Sequence, residues 1–412
     1  MSAPRVALFV AYGGGHISMV LPVMTQLKLL MPDLQCVLLA MTTGYAKAVA
    51  AGAKPLGYKD LLHLADAAKA EHWGRKLWAG NTSPDVSEVE SIAYLGINYL
   101  DLIEQHGEAG AAAIYAKHGR YGFKPLHFMQ RFFDVIAPDI VVTTNSPRSE
   151  RAALEVAIQR GIPSLGMVDL FGQDDDTYID QVSKPDWTCV ISESIKQRLV
   201  SHGFPAGGVE VTGNPAFDGL FTSASRAQAL AFMNRNGWEG LSPILWAGQV
   251  EPTLGAVTAG GNGLNFAIGV ESILRDYVAT RKQVALVVRY HPSQWHAFPR
   301  LQVQERVYFS VPSSEPVHPL ILAAKAVVVQ NSTVGLEAAV AGKSVVSLEH
   351  SPTVQTTFSL SAMGVSKPCY STSELPAILD AVLSGGEATP GAFASDGHSA
   401  ERVARTIRNA LS

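Results

Sequence analysis

A chain of 412 residues, 47% hydrophobic and 17% charged, has enough apolar surface for two or three ordinary globular cores. Its formal net charge of −4 is too mild to imply a nucleic-acid partner, and Cys36, Cys189 and Cys369 lack the paired spacing of a disulfide framework or a zinc site. The apolar run at 6–11 gives way at once to three glycines, too short for a signal peptide, and nothing reaches ~18 apolar residues. The expectation is a soluble, cytoplasmic protein, with peripheral contact at the inner face of a membrane left open.

In chain order, residues 5–11 read as a strand, Gly13-Gly14-Gly15 as a loop, 16–30 as a helix and 35–41 as the next strand. This βαβ opening is that of a doubly wound sheet. Residues 54–87 read as irregular. They carry Trp73, Arg75, Lys76 and Trp78, an aromatic-basic cluster that suits a packed loop, an acceptor or a membrane surface. Residues 86–136 read as largely helical, followed by strands at 139–144, 163–168, 187–191 and 208–212, with helices at 148–160 and 193–202.

Gly213-Asn214-Pro215 then resets the pattern as a hinge-like turn. A helix at 225–236 precedes strands at 243–247, 283–289, 306–309, 326–330 and 344–348, with the clearest helix at 265–280. Two βα series of similar length predict an α/β protein of two doubly wound, Rossmann-like domains facing a cleft. The expected boundaries are 1–214 and 215–398, with 399–412 as a helix packing back on the first domain.

The chemistry concentrates at strand ends. Residues 326–330 are an uncharged β-branched run, broken by Asn331-Ser332-Thr333 before a helix at 333–341. A helix terminus at the carboxyl end of a parallel strand offers free N–H groups and a positive dipole end, which suits a phosphate. Glu337 falls one turn further in, within reach of ribose hydroxyls. An N-capped helix with a surface glutamate would read the same way. The other strand ends tip the balance. Gly248-Gln249 ends a strand where a backbone can approach a phosphate. Arg289 and His291 end another as two anion donors, with Pro292 fixing the turn.

The first domain presents Tyr12-Gly13-Gly14-Gly15-His16. This is not GxGxxG, and Met41-Thr42-Thr43 supplies no acidic residue after the second strand, so a dinucleotide fingerprint fits poorly. His16 at a helix start suits a general base or phosphate donor, with the dipole expected to lower its pKa. Asn145-Ser146-Pro147-Arg148 and Asp169 lie on the same rim, and Asp169 could orient His16 or take a proton itself. Asp174-Asp175-Asp176 reads as a solvated loop, and no metal site is expected.

These motifs resemble a known superfamily. Gly13-Gly14-Gly15-His16 with Pro22 is similar to the N-terminal loop of the bacterial N-acetylglucosaminyltransferase that makes lipid II. Thr212-Gly213-Asn214-Pro215-Ala216-Phe217-Asp218 resembles the hinge of non-hydrolysing UDP-N-acetylglucosamine 2-epimerases. Arg289-Tyr290-His291-Pro292 and Asn331-Ser332-Thr333-Val334-Gly335-Leu336-Glu337 resemble the nucleotide-binding turns that those epimerases share with polysaccharide glycosyltransferases. Their order is that of the GT-B fold. The resemblance implies a nucleotide-sugar donor in the C-terminal domain, with Ser332 and Thr333 on the diphosphate, Glu337 on the ribose, and His291 with Arg289 facing phosphates or sugar. It implies an acceptor-side N-terminal domain, with closure about residues 213–215.

Departures from the epimerase pattern favour transfer. The epimerases carry Arg and Glu in the first loop, and an Arg after the strand that here ends in Asp169; this chain has a GGGH loop and Leu170-Phe171-Gly172. The expected function is therefore a metal-independent glycosyltransferase moving a sugar from a UDP-sugar, ahead of a CMP-sugar, to a hydroxyl acceptor in bacterial glycan synthesis. His16 or Asp169 would be the base. The nucleotide-sugar is a co-substrate and no other cofactor is expected. The acceptor would be a glycan, a lipid-linked molecule or another small hydroxyl compound, and a homodimer is left open. The alternative is a 2-epimerase-like sugar-nucleotide isomerase.

Overall fold

The computed structural model describes residues 5–80, 85–145, 147–169, 178–179, 183–252, 263–357, 359–385, 393 and 396–412. The chain forms two compact units, Met1–Ala216 with His398–Ser412, and Phe217–Gly397.

The first unit runs β1 (Val6–Tyr12), α1 (Gly13–Leu30), β2 (Gln35–Met41), α2 (Thr43–Ala50), α3 (Ala67–Leu77), α4 (Glu88–His118), α5 (Leu126–Ile136), β3 (Ile140–Thr144), α6 (Ser149–Arg160), β4 (Ser164–Met167), β5 (Trp187–Val190), α7 (Glu193–Ser201) and β6 (Val209–Val211). Its strands form a parallel sheet in the order β2-β1-β3-β4-β5-β6. Alternate residues of β1 feed opposite cores. Phe9 packs on the side of Ile17, Val20 and Leu27 from α1, and Leu8 and Val10 on the side of Phe128, Phe132 and Val156. Such a strand is apolar at every position because both of its faces are covered.

The second unit runs α8 (Ser223–Arg235), β7 (Ser242–Gly248), α9 (Asn265–Thr280), β8 (Val284–Tyr290), β9 (Val307–Phe309), α10 (Val317–Ala323), β10 (Ala326–Val329), α11 (Thr333–Val340), β11 (Ser344–Leu348), α12 (Pro352–Thr356), β12 (Lys367–Cys369) and α13 (Leu375–Leu383). Its parallel sheet has the order β12-β11-β10-β7-β8-β9. The last helix, α14 (Ser399–Ala410), returns to the first unit, where Val403, Ala404 and Ile407 join the core over α1. Arg402 Nε donates to the Thr212 carbonyl at 2.8 Å and anchors the helix there. Among the described residues no helix is long and apolar enough to cross a membrane.

The expectation of an irregular 54–87 is corrected. Residues Tyr58–Leu64 form a 3-10 turn and Ala67–Leu77 form α3. Asp66 caps α3 by accepting from Lys69 N at 3.1 Å. The helix is held by close backbone packing on α4. A Cβ at Gly96 would overlap the Ala70 carbonyl oxygen, and one at Gly74 would overlap that of Ile92. Most of the buried face of α3 is Ala70 and Gly74, too small to show as an apolar stripe.

Each sheet has a switch point where strand order reverses, between β1 and β3 in one and between β7 and β10 in the other. In open parallel sheets, ligands bind outside the carboxyl ends of the strands at that place. It is where the residues singled out in each unit fall.

Candidate active site

In the first unit, Tyr12 ends β1 and Gly13 turns the chain into α1 with φ +79°, a region that favours glycine. The turn is held from the β2 side. Gly14 N donates to Thr43 Oγ1 at 3.1 Å, and a Cβ at Gly44 would stand 3.0 Å from the Gly13 carbonyl oxygen. Gly15 is exposed, with open space around it.

His16, in the first turn of α1, is held at both ring nitrogens. Nε2 lies 3.1 Å from Asp169 Oδ2, and Nδ1 lies 2.8 Å from Thr144 Oγ1. The Thr144 hydroxyl also stands 3.4 Å from Glu150 Oε1. Asp169 is fixed through its backbone: its N–H donates to Asn145 Oδ1 at 3.3 Å, and its carbonyl accepts from Asn214 Nδ2 at 3.1 Å. The ends of β1, β3 and β4 thus meet in one row, Asp169–His16–Thr144–Glu150.

The expected lowering of the His16 pKa is corrected. Burial does pull it down, but the hydrogen bond and charge of Asp169, with the charge of Glu150, outweigh burial and raise it above the ordinary imidazole value. A helix terminus is a partial charge, and here a full carboxylate sits against the ring. Neutral His16 gives its Nε2 proton to Asp169 and accepts from Thr144 at Nδ1. Protonated His16 donates at both ends.

Arg148 also reaches this rim, with its guanidinium 3.9 Å over the Tyr12 ring. Ser146, Leu170-Phe171-Gly172 and Asp174-Asp175-Asp176 lie outside the described residues.

In the second unit, Gly248 ends β7, and its carbonyl accepts from His291 N at 2.9 Å. Gln249 bridges the switch point. Its N–H donates to Gln330 Oε1 and its Nε2 to Asn331 Oδ1, both at 2.8 Å. Asn331 Nδ2 in turn donates to Thr357 Oγ1. Behind this row, buried Glu251 accepts from Gln330 Nε2, from Ser351 Oγ at 2.6 Å and from Thr353 N at 2.7 Å. Ser332 caps α11 by accepting from Val334 N at 3.3 Å, and Thr333 opens the helix.

His291 Nδ1 accepts from Ser293 N at 3.3 Å and lies 2.9 Å from Ser293 Oγ, so its proton belongs on Nε2. Local desolvation holds its pKa below the ordinary value, which keeps it a neutral donor. Glu337 Oε2 lies 3.2 Å from His318 Nε2, without hydrogen-bond geometry, so that oxygen keeps acceptor capacity. Arg289 stands apart from the others. It is buried, and Nη1 and Nη2 donate to Ser310 Oγ at 2.8 Å and the Glu315 carbonyl at 2.9 Å. Burial lowers its pKa, against the charges of Glu315 and Glu337.

Thr144, Gln330, Glu251 and His318 are the partners that sequence reasoning passed over. Gln330 carried a signal, as an amide closing an apolar strand. Glu251 and His318 carried none, because their roles come from contacts 102 and 19 residues along the chain (353 − 251; 337 − 318).

No protein-family model matches this sequence, and no curated protein matches it either. Solved structures do match. A putative UDP-N-acetylglucosamine 2-epimerase from Listeria monocytogenes superposes with a TM-score of 0.61 at 14% identity, over 98% of this chain and 96% of that one. The UDP-GlcNAc 2-epimerase from Methanocaldococcus jannaschii gives 0.60 at 13% identity, over 98% and 100%. That from Neisseria meningitidis, bound to UDP-GlcNAc, gives 0.58 at 14%, over 98% and 100%. At such identities the likeness is one of fold: this chain has the two Rossmann-like domains of the GT-B-like epimerases.

Proposed function

We propose that the chain is an enzyme acting on a UDP-sugar, with the nucleotide held by the second unit. The observation that carries this reading is the convergence of Gly248-Gln249, His291 and Asn331-Ser332-Thr333 at the carboxyl ends of three adjacent strands, β7, β8 and β10. The N-terminus of α11 suits the diphosphate, neutral His291 suits a donor to it, and Glu337 suits the ribose hydroxyls. Arg289, turned onto Ser310 and Glu315, fits a supporting role behind this row.

Two reactions fit such a site. The activity for which the structural neighbours are named supports the first, epimerisation of the sugar while it belongs to the nucleotide. The His16–Asp169 pair and the GGGH loop favour the second, glycosyl transfer. In transfer, an acceptor oxygen forms a bond to the anomeric carbon as the bond from that carbon to the phosphate oxygen breaks. UDP leaves with the electron pair, and the hydroxyl proton passes to the Asp169–His16 pair. Both ring nitrogens of His16 are engaged, so the more exposed Asp169 carboxylate is the better placed to meet that proton.

A thermal-shift panel of UDP, UDP-sugars, CMP, CDP and GDP tests the nucleotide. Ligand at ~100 times its dissociation constant adds about 2.7 kcal/mol. A response to uridine nucleotides alone supports the proposal, and a response to none overturns it. Incubating the responding UDP-sugar without acceptor then separates the reactions: a new sugar epimer means epimerisation, whereas an unchanged sugar that is consumed only on adding a hydroxyl compound means transfer.

A further inference from the structure

Three consecutive backbone N–H groups beyond β7 are each taken by a different loop. Gln249 N donates to Gln330 Oε1 at 2.8 Å, Val250 N to Gln294 Oε1 at 3.0 Å, and Glu251 N to the Gly263 carbonyl at 2.9 Å. Gln294 lies in the turn after β8, and its own N–H donates to the His291 carbonyl at 2.9 Å. Side chains then close a circuit. Gln330 Nε2 donates both to the Gln249 carbonyl at 3.2 Å and to Glu251 Oε1. Gln249 Nε2 donates to Asn331 Oδ1 at 2.8 Å, Asn331 Nδ2 to Thr357 Oγ1, and Thr357 Oγ1 to the Thr353 carbonyl at 2.6 Å. Thr353 returns to the start, its N and Oγ1 both donating to Glu251 Oε2. The carboxyl ends of β7 and β10 are thereby tied to α12.

The direction of these bonds is forced. The Gln249 N–H can only donate and its carbonyl can only accept, so the Gln330 amide must meet them with its oxygen and its nitrogen respectively. The second hydrogen on Gln330 Nε2 then points at Glu251 Oε1. Thr353 N, another group that can only donate, faces Oε2 at 2.7 Å. Both oxygens at position 251 therefore meet an obligate donor. A carboxylate satisfies this and an amide cannot, because its NH2 would stand against one of the two. Glu251 and Gln330 are both buried, so a donor turned away finds no water in exchange. Asn331 uses both ends of its amide inside the circuit, and so fixes the chain that enters Ser332 and Thr333, where α11 begins.

We propose that Glu251 is the positioning residue of the nucleotide site: its carboxylate sets the direction of the whole circuit, and the circuit holds the start of α11 beside the His291 turn in the arrangement that receives a diphosphate. Glu251 acts from behind the rim, through Gln330 and Gln249 on one side and Thr353 and Thr357 on the other. This role rests on the UDP reading above, whereas the dependence of the circuit on Glu251 rests on the hydrogen bonds alone.

The test compares the wild type with Glu251→Gln, Thr357→Val and Val278→Ala, each as the purified full chain. Glu251→Gln replaces an acceptor by a donor at nearly constant volume. Thr357→Val opens the circuit on its far side, at an exposed residue. Val278→Ala lowers stability from buried α9, outside the circuit. Hydrogen exchange at the Gln249 and Thr353 N–H groups, without ligand, reads the circuit. Both should exchange at least about tenfold faster in Glu251→Gln than in Val278→Ala. Titration with UDP reads the positioning. The dissociation constant should rise about tenfold or more in Glu251→Gln and about threefold in Thr357→Val, and stay within about twofold of the wild type in Val278→Ala even where its thermal midpoint falls as far. In the wild type, NMR should show the Gln330 side-chain amide protons exchanging slowly with solvent; fast exchange there overturns the proposal even if Glu251→Gln does not fold. Exchange or UDP affinity that changes no more in Glu251→Gln than in Val278→Ala overturns it as well. A wild-type protein without any UDP response, with the exchange result in place, removes the nucleotide reading and leaves the circuit dependent on Glu251. A UDP response without the exchange result keeps the nucleotide reading and removes Glu251 from it.

Discussion

Asp169 Oδ2 stands 3.1 Å from His16 Nε2, joining the loop after β4 to the first turn of α1. With Thr144 on the other ring nitrogen and Glu150 beyond it, the imidazole lies between two carboxylates. That arrangement favours the charged ring. Because the folded pKa is raised above the unfolded value of about 6.5, the stability gained from the charged pair is complete below that pH and fades as pH rises through the folded value. An NMR titration of the His16 ring should therefore have its midpoint above about 6.5 and move down in Asp169→Asn. His16→Gln should cost more stability in acid than in alkali. A midpoint at or below the ordinary imidazole value would show that burial wins after all.

His16→Ala should lower turnover by on the order of 100-fold while leaving nucleotide binding in place, because a proton-transfer partner acts on the reacting bond rather than on the ground-state complex. Asp169→Asn should lower turnover similarly, since the amide cannot take the proton. Steady-state rates beside a direct UDP titration separate the two quantities. Turnover equal to that of the wild type in both variants would remove the pair from the chemistry.

Gly96→Ala tests how tightly α3 is bound to α4. The added Cβ would meet the Ala70 carbonyl oxygen, a backbone atom that cannot swing aside as a side chain can. The helices must separate, at a cost of about 1–3 kcal/mol or more, visible as a lower thermal midpoint. Gly15→Ala is the control. Nothing beyond its own helix lies within 4 Å of its Cβ position, and its stability should equal or slightly exceed that of the wild type, because Ala favours a helix over Gly.

Strand and helix order was legible because both sheets are parallel and covered on both faces, which makes runs such as Val327-Val328-Val329 unbroken. The reading of helix 265–280 matches α9 (Asn265–Thr280), whose buried Val270, Leu274, Tyr277 and Val278 follow helical spacing. Lys367–Cys369 escaped because three residues with a proline carry no alternation. The rim residues could be named, since small polar residues after apolar strands are conspicuous. Their partners could not. Nothing near position 289 shows that Arg289 turns onto Ser310, or near position 16 that Asp169 and Glu150 outweigh burial. Such pairings are set by which strands become neighbours, and that order is absent from local pattern.

Glu337 offers the sharpest test of the nucleotide site. It sits one turn into α11 with its side chain only 12% exposed, and its contact with His318 at 3.2 Å leaves Oε2 able to accept. His318 is itself confined, since a Cβ at Gly219 would stand 2.8 Å from its Nδ1. If the carboxylate accepts from the ribose, Glu337→Ala should weaken UDP binding by roughly 1–3 kcal/mol, the worth of a hydrogen bond to a charged group. The loss should also be specific. Wild-type protein should bind UDP more tightly than 2′-deoxy-UDP, and Glu337→Ala should bind the two nearly alike. His318→Ala should cost less than Glu337→Ala, because it removes a neighbour of the carboxylate and not the carboxylate. Calorimetric titration of both nucleotides into the three proteins gives all of these values. A Glu337→Ala protein that still prefers UDP to its deoxy analogue by the wild-type ratio would place the ribose elsewhere, even if overall affinity had fallen.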